Sequence, residues 1–191
     1  MKLYHVSTSL KHDGYFVPRI PEFTNKKAVI PENETIPRIC CGTSIEDCLT
    51  AMPCGGIDLD TLCESQYHLF KVFEFDLEKL GLEMGKDVLD WRYLYENNLV
   101  IDAFNSQEYW ILSSVKATNS YIIEITDWAM DFEDIVPCEI WEEAMDGNGD
   151  YYSLYEKAYY RPISSMGIII DVEYDIIEDI NAYFEQASLY A

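Results

Sequence analysis

The chain has 191 residues, 49% hydrophobic and 14% aromatic, which suffices for one sizeable core and leaves little for a second. No run approaches the roughly 20 apolar residues of a membrane helix, the longest apolar feature being 166–170 with a glycine inside it, so a spanning helix is excluded. The net charge of −22 is uneven: residues 1–50 are neutral, whereas after residue 100 Lys116, Lys157 and Arg161 face 19 carboxylates, a net of −16, and that half would repel phosphates.

The opening Met1-Lys2-Leu3-Tyr4-His5-Val6-Ser7 lacks the apolar run and small-residue site of a signal peptide, which predicts a mature chain starting at Met1 in the cytoplasm. Leu3 to Val6 reads as a short strand. The segment that follows is punctuated by Pro18, Pro21, Pro31 and Pro37 and reads as loop. Arg38 to Cys41 reads as a second strand and ends at Gly42. A helix opens at once, because Thr43 with Glu46 and Ser44 with Asp47 fit capping-box spacing, and Ile45, Cys48, Leu49 and Met52 recur on one face.

Tyr67 to Phe75 is apolar on both faces, as a central strand would be, and residues 76–81 turn the chain. Residues 84–106 fit more than one assignment. Glu108 to Val115 and Tyr121 to Thr126 read as two strands of a meander. Acidic helical patterns follow around 138–145 and 151–160, then a buried strand at 167–171. A last helix is predicted from the stripe Ile176, Ile177, Ile180, Phe184 and Ala187. The expectation is a single α+β domain over 1–191, with a mixed or antiparallel central sheet and flanking helices, sheet-rich over 1–126 and acidic and helical over 127–191.

Six cysteines stand at 40, 41, 48, 54, 63 and 138 at no zinc-ligand spacing, and they read as reduced thiols acting as small hydrophobes. Asp146 to Asp150 alternates oxygen donors but has Tyr151 and Lys157 where a calcium loop needs glycine and glutamate. No metal is expected. The acidic half carries the partner expectation: a surface dense in carboxylates can occupy a cationic groove built for phosphates. Asp131, Glu133, Asp134, Glu139, Glu142 and Glu143 are its candidate contacts, with no binding of free nucleic acid and none of a membrane.

The pattern Leu3-Tyr4-His5-Val6-Ser7, then Arg38 to Ser44 opening a capped helix, then Gln107-Glu108-Tyr109-Trp110-Ile111, resembles the three motifs of ADP-ribosyltransferases. The resemblance implies that His5 holds a ribose of NAD, that Ser44 ends the second strand, and that Glu108 stabilises the sugar cation as nicotinamide leaves. Ser106 stands where that family has an acidic or amide residue. The stretch LYHVS, with PRIP at 18–21 and RICCGTSIEDCLTAMP at 38–53, also resembles type II-A anti-CRISPR proteins of Gram-positive phages and mobile elements. That resemblance implies inhibition of Cas9, with or without its guide RNA, in a bacterial host. It allows action on the guide, His5 activating a 2′-hydroxyl and Arg38 compensating phosphate charge. No cofactor is expected under this reading, and NAD under the transferase alternative.

Overall fold

A computed structural model describes residues 1–21, 33–52, 59–65, 68–100, 103–131 and 168–187. The class is α+β, with antiparallel sheets. Strands β1 (Lys2–Ser7), β4 (Leu69–Asp76), β8 (Asn119–Asp131) and β9 (Ile168–Ile177) form a four-stranded sheet in the order β1-β4-β8-β9. A second sheet runs β3 (Ile39–Cys41), β6 (Tyr109–Ile111), β5 (Val88–Leu89), and β2 (Tyr15–Phe16) pairs with β7 (Val115–Lys116).

The large sheet is sandwiched unevenly. Strand β4 carries Phe70 and Val72 on one face and Leu69, Phe73 and Phe75 on the other, all fully buried, which is why its sequence shows no polar alternation. On the first face Val6, Phe70, Val72, Ile123, Ile125, Ile169 and Val172 pack against α1 (Ile45–Ala51) and α2 (Leu59–Ser65). On the second face Leu3, Phe73 and Phe75 pack against Ile39, Cys41, Val88 and Ile111 of the small sheet. No buried residue of β8 or β9 belongs to this second core. The small sheet therefore covers the β1–β4 half of that face.

Helix α1 is set by its cap. Ser44 Oγ accepts from the Asp47 N–H at 3.1 Å, and Asp47 reaches back to the Thr43 N–H at 3.0 Å, one residue earlier than a capping box requires. Gly42 exchanges backbone hydrogen bonds with Tyr4, both 2.9 Å, and a Cβ there would lie 2.7 Å from that of Asp47. Only glycine lets the chain at 42 pass so close to the first turn of α1. Cys40, Cys41, Cys48 and Cys63 are free thiols, the last three buried.

Residues 84–106 contain β5, α4 (Trp91–Glu96) and α5 (Ala103–Ser106), and the expected turn at 76–81 holds a short helix, α3 (Leu77–Leu80). The expected meander does not form: β6 joins the small sheet and β8 the large one. A second correction concerns the C-terminal part. Ile176 and Ile177 belong to β9, opposite Ile123 and Ile122, and α6 (Ile180–Ala187) starts only after Asp179 accepts from the Asn181 and Ala182 N–H groups. Six β-branched residues between 168 and 177 favour extended backbone, and β8 supplies the partner that a helical stripe reading ignores. The expected acidic helices around 138–145 and 151–160 lie outside the described residues. No helix among the described residues is long and apolar enough to cross a membrane.

Candidate functional site

His5 points to the second face of the large sheet. Its Nδ1 lies 2.8 Å from the Cys40 carbonyl oxygen, which can only accept, so Nδ1 carries the proton and Nε2 of the neutral ring keeps the lone pair. Phe16 meets the ring edge-on at 5.0 Å, and His12 stacks on Phe16 at 4.4 Å. Burial first, then the positive fields of His12 and Arg19, hold its pKa below 6.5 against the opposing bond to Cys40. The native state thus binds its proton less readily than the unfolded chain. The resulting loss of stability is absent above about pH 6.5 and grows as pH falls below it. We expect His5→Asn, which keeps a donor to Cys40 and removes the titration, to flatten the fall in stability between about pH 7.5 and 5.5 measured by urea unfolding. An unchanged pH slope would place the titration elsewhere.

Arg38 and Glu108 meet on one indole. Arg38 is 2% exposed, with its guanidinium carbon 4.0 Å from the centre of the Trp110 ring and Nη1 donating to the carbonyls of Asn33 at 2.6 Å and Ile36 at 3.2 Å. Glu108 is 8% exposed, and its Oε1 accepts from Trp110 Nε1 at 2.7 Å. Its charge adds to burial and to Cys48 in pushing the Cys41 thiol well above the usual range. The β3–β6 register, Cys40 opposite Trp110, brings these groups together. The contact ties the 33–38 segment to β6. A guanidinium placed against a ring and two carbonyls does not face solvent.

Ser44 lies on the other side. Tyr4 and His5 are successive on β1, so their side chains leave opposite faces of the sheet. Ser44 shares with Tyr4, Thr43, Ile45, Glu46, Tyr121 and Tyr174 a cavity of about 200 Å³, lined by none of His5, Arg38 and Glu108. That volume is below the roughly 300–1,000 Å³ of small-molecule sites. The three transferase-like residues and Arg38 of the guide-RNA reading thus fall in three places: His5 behind the Cys40 carbonyl, Arg38 and Glu108 on Trp110, Ser44 at the cap of α1. Among the described residues no group of three His, Cys, Asp or Glu is arranged to hold a metal.

The acidic candidates fare differently. Asp131 ends β8 opposite Ile168, and Glu133, Asp134, Glu139, Glu142 and Glu143 lie outside the described residues. What the structure adds is a carboxylate ladder on the half of the second sheet face that the small sheet does not cover. Asp171, Glu173 and Asp175 alternate along β9, all exposed, with Asp127 opposite Glu173 and Glu124 opposite Asp175. A register shift between Ile125 and Asp127 keeps both β8 acids on this face although they are three residues apart. Tyr183 of α6 donates to Glu124 at 2.7 Å, so burial and that carboxylate raise the Tyr183 phenol to about 12. The period-two run Asp171-Val172-Glu173-Tyr174-Asp175 was the available sequence signal, hidden because the stretch after it fits a helical stripe. Comparison of the chain with protein-family models, with curated sequences and with solved structures found no match.

Proposed function

We propose that this protein is an acidic binding protein that occupies the cationic groove of a nucleic-acid-handling enzyme. Cas9 is the partner to which the anti-CRISPR resemblance points, in the cytoplasm of a bacterial host. The observation that carries this reading is the ladder of Glu124, Asp127, Asp171, Glu173 and Asp175. Directly opposed like charges on paired strands destabilise a sheet, and here two such pairs occur on one surface. A solubilising surface needs no such arrangement.

The spacing supports the reading further. Alternate residues on an antiparallel strand are about 6.8 Å apart, so the two opposed pairs, with Asp171 alone opposite Ala129 on the next level, average one charge per roughly 3.4 Å where both strands are acidic. That is the axial charge spacing of one nucleic-acid strand, and half the charge density of a duplex. The ladder therefore suits a groove that holds a single strand, such as the guide RNA. Catalysis has no corresponding support, since Glu108 and Ser44 are engaged by Trp110 and by the helix cap.

The test is competition. The protein should displace a fluorescent guide RNA from Cas9, should bind apo-Cas9 progressively more weakly as salt rises, and should give no heat with naked RNA. Binding to the guide-loaded complex as tight as to apo-Cas9, or binding to RNA itself, would overturn the proposal.

A further inference from the structure

The cavity on the opposite face of the sheet is the second feature with a chemical identity. Three tyrosines from three strands converge on it: Tyr4 of β1, Tyr121 of β8 and Tyr174 of β9, joined by Glu46 from the first turn of α1. A core tyrosine is ordinarily satisfied singly and locally. Three around one open cavity, with a carboxylate, is the composition of an aromatic cage.

The occupant follows from charge. A tyrosine offers a cation its ring face through the quadrupole and its hydroxyl oxygen through lone pairs. Glu46 has no ion-pair partner among the described residues, whereas the nearby Glu74 is taken by Lys2 at 2.8 Å and Asp47 by Thr43. Burial, then Tyr174, Glu74 and Tyr4, push the Tyr121 phenol to about 12, so this ring stays neutral at physiological pH and the full charge at the cavity is that of Glu46. An anion is disfavoured here. A volume of about 200 Å³ suits one side-chain head group and not a nucleotide.

We propose that Tyr4, Tyr121, Tyr174 and Glu46 form a cage for one cationic side chain, an arginine guanidinium or a lysine ammonium, presented by a partner protein. The cage faces away from the carboxylate ladder, so it stands or falls independently of the groove-filling role. Alternation along β9 puts Tyr174 on one face and its neighbours Glu173 and Asp175 on the other.

The probes are N-acetyl-arginine amide and N-acetyl-lysine amide, with N-acetyl-citrulline amide as the uncharged counterpart, titrated into the full chain carrying isotope-labelled tyrosine. Saturable shifts of the Tyr4, Tyr121 and Tyr174 ring signals should appear with at least one of the cationic probes and not with citrulline. Glu46→Gln and Tyr174→Ala should each weaken that binding by about three- to tenfold, and Tyr174→Phe, which retains the ring face, by less. Tyr174 is 38% exposed, so its truncation spares the core, and thermal melts would check that the fold persists. Glu78→Lys, the same change of charge at an exposed position outside both surfaces, should leave probe binding within about twofold, and a loss as large as that from Glu46→Gln would overturn the cage. Absence of shifts, equal shifts with citrulline, or binding that survives both Glu46→Gln and Tyr174→Ala would overturn the cage.

Discussion

Replacing Asp171, Glu173 and Asp175 together by lysine should make the protein more stable and, under the proposed groove-filling role, a far poorer ligand for Cas9. The two effects share one cause. Asp175 faces Glu124 and Glu173 faces Asp127, so reversal turns two repulsive cross-strand pairs into attractive ones. Pairs of this kind are worth about 0.2–1 kcal/mol each, so a gain of about 0.5–2 kcal/mol in urea unfolding is expected. Association should fall by on the order of a hundredfold or more, since close charge pairs across an interface couple by about 1.5 kcal/mol upward. The control reverses Glu64, Glu78 and Glu96, which are exposed in other elements and change the net charge equally. Calorimetry against apo-Cas9 reads the difference. Equal losses from both sets would reduce the effect to net charge, and a loss of stability in the ladder variant would mean that the opposed carboxylates are not strained.

How much of this was legible in the sequence depends on the length over which each signal runs. The double-faced apolar run ending in Phe75 identified β4, and the Ser44–Asp47 spacing located the cap of α1, because both are local patterns with local causes. Gly42 was not legible as a contact: its necessity arises from Asp47 and Cys48, which the turn into α1 folds back against it. Ile176 and Ile177 misled because a strand edge and a helix stripe overlap over a few residues, and the deciding factor was β8, about 50 residues earlier. The candidate residues lie apart for a related reason. His5, Ser44 and Glu108 satisfied residue types at plausible strand ends, but residue type does not show which face of a strand a neighbour leaves from, nor that an indole two residues on will engage the glutamate.

That indole makes the sharpest test of what Glu108 is for. Trp110 is fully buried, and its N–H is satisfied by Glu108 Oε1 at 2.7 Å. Glu108→Ala should strand this donor in the core, at about 1–3 kcal/mol, while Glu108→Gln, whose amide oxygen can still accept, should cost less. Trp110→Ala should cost about 3–5 kcal/mol, because it also removes the surface on which the Arg38 guanidinium rests. Trp110→Phe keeps most of the packing and deletes the donor. In that background Glu108→Ala should be milder than in wild type, and the difference between the two measures the coupling of the pair. Urea unfolding of the four single variants, and of the double variant that combines Trp110→Phe with Glu108→Ala, supplies every value. A carboxylate kept for chemistry behaves in the opposite way, its removal leaving stability unchanged or raised. If Glu108→Ala is neutral or stabilising, the bond to Trp110 does not explain why a glutamate stands there, and a role in binding or catalysis becomes the better account of this residue.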